Sequence, residues 1–497
     1  MALLLGIDLG TSFIKVSVID AQTGRCLASA KNSESEAPII SPQPSWAEQC
    51  PNQWWEDVKT AIQRAHATGS YNPKDIAAIG IAYQMHGLVL VDKNQQVLRN
   101  SIIWCDSRAV DIGNKAFEKI GEDKCLERLL NSPGNFTASK LSWVRNNEPK
   151  VYNRIHKIML PGDFIAMKLT GEITTTPSAL SEGVFWDFKK GSLSRDIMKY
   201  FGFEQELIPV TEPVFAEHGA LSAAVARELS LPVGIPVSYK AGDQLNNALS
   251  LNVMKPGEMA ATAGTSGVIY AVTDQLAVDK RSRVNTFAHV NHTEDKNRLG
   301  VLLCINGCGI MNSYTRKLMA PDLSYDQMNA QASKIPVGSE GLKVLPFGNG
   351  AERMLENKTP GAHFLDLNLN RHSTAHFCRA VQEGIAFAFR YGVDIMRENG
   401  IDPRIVRAGK ANLFLSDVFI EAFVNSTELE VELYQNDGSV GAAIGAGIGA
   451  GIYSNPEEAF TNLRPIQKAS PSPNLYIKYE NQYHKWLRNL KKHLPKH

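Results

Sequence analysis

A two-lobed α/β architecture with a cleft between its lobes is the fold class this sequence predicts, and three observations predict it. At 497 residues with 43% hydrophobic content, the chain exceeds what one core supports, so two domains of similar size are expected, 1–250 and 251–497. Strand-like and helix-like segments alternate along the whole length instead of segregating. One unit also occurs twice. Leu3-Leu4-Leu5-Gly6-Ile7 runs into Asp8-Leu9-Gly10-Thr11-Ser12 and an alternating segment through Lys15, Val16 and Val18, and Met259 to Ala263 runs into Gly264-Thr265-Ser266-Gly267 and Val268-Ile269-Tyr270-Ala271-Val272. Both read as β-hairpins. Glycine at each tip is free to take positive φ and lets the backbone approach a ligand, while N–H groups and Thr/Ser hydroxyls can donate to phosphate oxygens. Two such tips facing each other suit a nucleoside triphosphate, so a two-domain phosphotransferase is expected.

The elements between the hairpins follow from local pattern. Pro51-Asn52-Gln53-Trp54-Trp55 opens a helix to about Ala67, with proline where its missing N–H costs little. Ile76 to Ala82 reads as a buried strand entering a loop at Tyr83-Gln84-Met85-His86-Gly87, followed by strand Leu88 to Val91. Val233 to Val237 reads as another strand, ending at Ala241-Gly242-Asp243-Gln244 before a small-residue helix through Ala248. In the second half, Phe377 to Asn399 has helical spacing and Ile405-Val406-Arg407 reads as a strand. Gly438 to Gly451 is too short for a membrane helix, and its Gly and Ala residues favour a buried helix packed close against a neighbouring backbone or ligand. Tyr476 to His497 reads as a polar, basic helix whose charged face is solvated.

Lys+Arg (52) and Asp+Glu (51) nearly cancel, which removes the electrostatic case for nucleic acid or an anionic membrane surface and favours a small-molecule partner. The seven cysteines are odd in number and scattered, which suits a reducing compartment and core packing. The opening Leu run lacks a basic flank, and no stretch approaches the roughly 20 apolar residues of a membrane span. The expectation is a soluble, cytoplasmic protein. There is no Gly-x-x-x-x-Gly-Lys-Ser/Thr and no Gly-x-Gly-x-x-Gly at the first turn, against P-loop and dinucleotide readings. His372 and His376 have no glutamate between them, and Cys304 and Cys308 lack a second pair, so neither pair reads as zinc-binding.

Asp8 and Asp243 are the central pair, each where a buried strand gives way to a glycine-containing turn. Phosphoryl transfer needs a metal on the phosphates, a carboxylate to position it, and a second carboxylate to take the proton of the attacking hydroxyl. Asp8, beside the first hairpin, suits Mg²⁺ through water. Asp243 suits the base.

These residues also carry a resemblance over nearly the whole chain. Asp8-Leu9-Gly10-Thr11-Ser12, Trp46-Ala47-Glu48-Gln49 with Trp54-Trp55, Ile103-Trp104-Cys105-Asp106-Ser107-Arg108, Phe136-Thr137-Ala138-Ser139-Lys140-Leu141-Ser142-Trp143, Ala241-Gly242-Asp243 and Gly264-Thr265-Ser266-Gly267, in that order, resemble the FGGY family of carbohydrate kinases. The resemblance implies a ribonuclease-H-like fold, shared with actin, hexokinase and the Hsp70 ATPase domain, with sugar and ATP in the cleft. It implies Asp243 as general base and Asp8 at the metal and phosphates. Gln84, Met85, His86, Trp104 and Asp106 are implied at the sugar; for Asp106, an ion pair with Arg108 that shapes the pocket stands beside direct contact. Gly10, Thr11, Ser12, Lys15, Gly264, Thr265, Ser266 and Gly307 are implied at the phosphates, and Gly409 and Asn412 at the adenosine. The Gln84-Met85-His86-Gly87 loop resembles that of family members acting on xylulose, where glycerol-specific members carry Arg-Glu at Met85-His86. A homodimer is implied by the family alone.

Departures from the family pattern are local. Arg407-Ala408-Gly409-Lys410-Ala411-Asn412 replaces a run of three glycines, placing larger side chains where purine and backbone would meet. Leu365 stands where glycine is common, Phe347 to Arg353 is partly regular, and Gln244-Leu245-Asn246-Asn247 replaces Asn-Ala-Ala after the base. Phosphorylation of D-xylulose is the expected activity. The alternatives are another ketose, polyol or aldonate kinase, an actin- or Hsp70-like ATPase module, and a sugar sensor without turnover.

Overall fold

The computed structural model describes residues 2–276, 278–435 and 437–495. Its frame is two mixed β-sheets. The first has five strands in the spatial order Val237–Gly242, Ile76–Tyr83, Leu3–Leu9, Ile14–Asp20, Cys26–Lys31. Leu3–Leu9 pairs antiparallel with Ile14–Asp20 and parallel with Ile76–Tyr83, which in turn pairs parallel with Val237–Gly242. The second sheet begins with the hairpin Glu258–Ala263 and Gly267–Thr273, extended antiparallel by Leu299–Ile305 on one side and parallel by Ile405–Gly409 and Glu430–Tyr434 on the other. The five-strand arrangement of the first sheet is thus repeated in the second, the duplication that the paired hairpins suggested.

Each sheet is covered on both faces, so its strands are nearly continuously apolar. Trp54, Val58, Ala61, Ile62 and Ala65 of helix Pro51–Thr68 cover one face of the first sheet. In the second sheet alternate residues serve opposite cores: Met259, Ala261 and Ala263 face helices Thr374–Glu398 and Asp417–Thr427, while Ala260, Tyr270 and Val272 face the interlobe layer. The C-terminal helix Pro473–His493 buries Tyr479, Tyr483, Trp486 and Leu490 along one stripe of that outer core; the last two residues of the expected segment lie outside the described residues.

Helix Gly438–Gly449, although it belongs to the second half of the sequence, packs across the first sheet. Its small residues are dictated by that contact. A Cβ at Gly6 would sit 1.8 Å from the Ser439 carbonyl oxygen, and one at Gly80 would sit 2.0 Å from that of Ala442. The Ser238 hydroxyl donates to Ala446 O at 2.8 Å across the same contact. The helix expected from Gly438 onward is therefore a close-packed one, and it lies beside helix Asp243–Ser250 between the two sheets. Both hairpin tips and the start of both central helices consequently lie at the strand ends that border the cleft.

Candidate active site

The first hairpin closes through Gly10, whose N–H donates to Phe13 O at 3.1 Å. Neither Gly10 nor Gly264 takes positive φ, contrary to expectation. Gly10 is required instead by close approach, because a Cβ there would stand 2.8 Å from the Phe13 oxygen. Thr11 is the hub of the tip. Its hydroxyl donates to Gln84 Oε1 at 3.2 Å and accepts from Trp104 Nε1 at 2.9 Å, and its carbonyl accepts from Gln49 Nε2 at 2.8 Å. Gln84 Nε2 donates to Gln49 Oε1 at 3.0 Å. The phosphate-type hairpin and the loop expected to meet sugar are thus one hydrogen-bonded unit, with Trp104, 52% exposed, at its rim.

Asp8 ends on the N-terminus of helix Gly438–Gly449: a Cβ at Gly438 would fall 2.2 Å from Asp8 Oδ2. Burial, and then the charge of Asp437, push the Asp8 carboxyl up to about 6 against the opposing pull of Lys15. Lys15, expected at the nucleotide phosphates, is paired with Asp437, the residue that caps this helix by accepting from Ser439 N at 3.0 Å. That pairing is a tertiary event the local pattern around Lys15 does not encode.

Asp243 begins helix Asp243–Ser250 directly after strand Val237–Gly242. Burial, followed by the charge of Asp8, raises its carboxyl to about 7. The two carboxyls, 235 positions apart in sequence, therefore share one electrostatic environment. Gly242 lets a third group in: a Cβ there would lie 2.6 Å from Met85 Cγ and 2.9 Å from Glu182 Oε2. His86, next to Met85, holds the left-handed backbone at φ 61°, an uncommon conformation for a non-glycine residue. Its ring is fixed edge-on to Phe136 at 4.8 Å, and Nδ1 bonds the Glu182 carbonyl at 3.0 Å. A carbonyl only accepts, so Nδ1 carries the proton and Nε2 is left as an acceptor. Burial and the nearby Lys140 hold the imidazole neutral, its pKa depressed to about 3. Lys140 in turn donates to His86 O at 2.8 Å and Ile103 O at 3.0 Å, tying the loop to the Trp104 segment.

Asp106 departs from the expected direct sugar contact. It is fully buried, and its oxygens accept from Ala47 N at 2.6 Å, Arg108 N at 2.8 Å and Arg108 Nη2 at 2.7 Å. Arg108 stacks on Trp46 at 3.9 Å and reaches Glu48 at 2.8 Å. This cluster holds the Trp104 segment in place and leaves Asp106 no free acceptor, so the ion-pair alternative is the one the geometry favours.

On the second lobe, Ile310 N bonds Thr265 O at 3.1 Å and Gly309 N bonds Gly264 O at 2.9 Å, docking helix Gly309–Met319 on the second tip. Thr265 is exposed and Ser266 partly so. A cavity of about 410 Å³ opens here, bordered by Gly264, Thr265, Ile310, Tyr325, Asn329 and Asn412. Asn412 thus joins the second tip, whereas Gly409 is the end of its strand, paired with Tyr434. The bulky substitutions around it do not fill the cavity. Arg407 is drawn to Glu258 at 3.2 Å and Glu432 at 3.1 Å, and Lys410 to Gln467 at 2.6 Å. Gly307 is glycine because Pro346 O would lie 1.9 Å from a Cβ, and its N–H already donates to Glu352 Oε1 at 2.8 Å. Glu352 also accepts from Asn306 N at 2.9 Å; it, Gln49 and Lys140 lie within the motif segments of the sequence without a role assigned to them there, and Glu182 lies in none of those segments. Cys304 is exposed rather than packed, unlike Cys308.

The family model described as "FGGY family of carbohydrate kinases, N-terminal domain" matches residues 3–250. The chain belongs to the FGGY family of carbohydrate kinases. This carbohydrate kinase is 28% identical to a xylulose kinase of Haemophilus influenzae, the match covering 98% of this chain and 99% of that one. It is likewise 28% identical to a xylulose kinase of Escherichia coli, over 99% of each. Among solved structures, a xylulose kinase from Rhodospirillum rubrum superposes with a TM-score of 0.88 at 25% identity, over 99% of this chain and 98% of that one. A Plasmodium falciparum glycerol kinase with ADP gives 0.89 at 17% identity over 100% and 99%, a likeness of fold alone. The fold of this kinase is the two-domain actin/hexokinase-like ATPase fold. Among the described residues no helix is long and apolar enough to cross a membrane.

Proposed function

We propose that this kinase transfers the γ-phosphoryl group of ATP to the terminal hydroxyl of D-xylulose, giving D-xylulose 5-phosphate and ADP. The xylulose kinases it resembles over nearly its full length support the acceptor. The observation that carries the chemistry is the convergence at Gly242, where Met85 of the sugar-type loop meets the backbone immediately before Asp243. An acceptor resting on Met85, with a hydroxyl that donates to Nε2 of neutral His86, brings its terminal hydroxyl to Asp243. The Asp243 carboxylate takes the hydroxyl proton as that oxygen forms its bond to the γ-phosphorus in line with the breaking bond to the ADP oxygen. A carboxyl raised to about 7 is a stronger base than an exposed aspartate and is still largely ionised just above neutrality.

The hairpin tips supply the backbone N–H of Thr11 and the hydroxyls of Ser12, Thr265 and Ser266 to the phosphates, and the 410 Å³ cavity takes the adenosine. No group of three or more His, Cys, Asp or Glu among the described residues is arranged to hold a metal by itself. That suits a Mg²⁺ ion carried by the nucleotide and met through water by Asp8, a hard oxygen donor. Once bound, the ion would neutralise phosphate charge. Closure of the lobes over the acceptor excludes water as a competing nucleophile.

The test is ADP release by the full-length protein with D-xylulose, other pentuloses, polyols and aldonates, the product identified by phosphorus NMR. Stimulation by D-xylulose with a 5-phosphate product, abolished in Asp243→Asn, is expected. Preference for an aldonate or polyol would displace the acceptor, and hydrolysis indifferent to every sugar would remove the kinase mechanism.

A further inference from the structure

Glu182 closes helix Pro177–Glu182, in which every residue after the proline is buried. Other buried glutamates of the described chain are saturated. Glu48 has Arg99 and Arg108, Glu352 has the N–H groups of Asn306 and Gly307, and Glu383 has Arg379, Gly338 N and the Ser339 hydroxyl. Glu182 is 1% exposed, and among the described residues its carboxyl oxygens have no cation or backbone N–H to bond; the Tyr83 hydroxyl alone interacts with them as a donor, which leaves most of their capacity unused. A buried polar group left short of partners is unfavourable, and natural chains keep one mainly where something not yet present completes it.

The position of this carboxyl says what would complete it. Oε2 stands 2.9 Å from the point a Cβ of Gly242 would occupy, in the same space as Met85 Cγ and Sδ, at 2.6 and 3.2 Å from that point. The next residue is Asp243, whose charge is felt by Glu182. The Glu182 backbone carbonyl meanwhile holds Nδ1 of His86. One residue therefore orients the histidine of the sugar-type loop with its main chain and sets its side chain beside the methionine of that loop and the base.

We propose that Glu182 reads the acceptor: its carboxyl group hydrogen-bonds a hydroxyl of the polyhydroxylated substrate lying over Met85 and Asp243. The inference rests on the acceptor site described under the proposed function and adds a specificity determinant to it. Burial, with the charges of Asp243 and Asp163 opposing the Tyr83 hydroxyl and the Lys140 ammonium, pushes this carboxyl well above the usual carboxylate range and so favours its neutral form. A neutral acid offers one O–H donor and one carbonyl acceptor, the complement of a sugar hydroxyl, which both accepts and donates. The same pocket favours an uncharged polyol end over a second anionic group close to Asp243 and Asp8.

The experiment compares the parent enzyme with Glu182→Gln, Glu182→Asp and Glu182→Leu. Acceptor KM, ATP KM and kcat are measured with whichever sugar of the panel the parent phosphorylates best. A best acceptor other than D-xylulose corrects the substrate reading and leaves the Glu182 comparison intact. Glutamine keeps a donor and an acceptor in place, and its acceptor KM is expected within about threefold of the parent. Aspartate withdraws the group by one methylene and leucine removes it; both are expected to raise acceptor KM by roughly tenfold or more with ATP KM within about twofold. Aspartate keeps the test open should the leucine variant fail to fold. An aspartate variant with unchanged acceptor KM, or a glutamine variant as impaired as the leucine one, would overturn the assignment.

Discussion

Replacing Asp243 by asparagine should remove activity and stabilise the protein, and the pH dependence of the second effect is the sharper test. In the folded chain burial, and then the charge of Asp8, push this carboxyl up to about 7, against 3.8 for an ordinary aspartate. The folded state thus holds a proton between about pH 4 and 7 that the unfolded state has released, so stability falls with rising pH across that window and is flat above it. At about 1.4 kcal/mol per pK unit the full shift corresponds to about 4 kcal/mol. Asp243 keeps partial solvent access, which reduces the expected figure to about 2 kcal/mol. Asparagine is neutral at every pH and escapes this cost. The assay is the thermal unfolding midpoint of parent and variant at pH 5 and pH 8. A gain of roughly 2–4 °C at pH 8, clearly smaller at pH 5, is expected for a chain of this size, together with a kcat reduced by about 10²-fold or more. Equal effects at the two pH values, or destabilisation at pH 8, would refute the claim that an ionised Asp243 sits in an unfavourable environment.

Three further outcomes follow from the same geometry. Because the Asp8 charge helps to raise Asp243, Asp8→Asn should move the acidic limb of the kcat/KM profile to lower pH while lowering its plateau; an unmoved limb would mean the two groups do not interact. With its imidazole held near 3, His86 should contribute no titration to acceptor KM between pH 6 and 8, and His86→Ala should raise that KM by roughly tenfold with ATP KM little changed. Gly80→Ala places a methyl group 2.0 Å from the Ala442 carbonyl oxygen, so helix Gly438–Gly449 must move. A loss of at least about 1–3 kcal/mol is expected, read as a lowered unfolding midpoint, and a midpoint equal to the parent's would contradict the packing described.

Much of the frame was legible before any coordinates because it rests on local pattern. The hairpins at Asp8 and Gly264, helix Pro51–Thr68 and strand Ile76–Tyr83 appear where periodicity and proline put them. Strand Val237–Gly242 starts later than the expected Val233 and ends where expected, at Ala241-Gly242. Pro236 ends its own stretch by bringing no N–H to the ladder, and the buried run after it is the one that pairs. In the site, Asp8, Asp243, Met85 and His86 were singled out from the chain alone, and the structure brings them to one region. Glu352 and Glu182 were not, since a lone glutamate in an otherwise apolar or irregular stretch carries no signal until its surroundings are known.

The order of residues by itself determined the two-sheet frame, the two acidic strand ends and the family to which this kinase belongs. It did so because strand alternation, turn chemistry and motif spacing act over a few residues at a time. Only the tertiary structure decided that Lys15 pairs with Asp437, that Asp106 is spent inside a buried ion pair, that Arg407 turns away from the cavity at the second tip, and that the Glu182 carboxyl arrives at Gly242 with no cation bonded to it. Each of those depends on which distant side chain stands within a few ångströms, and burial then sets the strength of the charge or hydrogen bond that results.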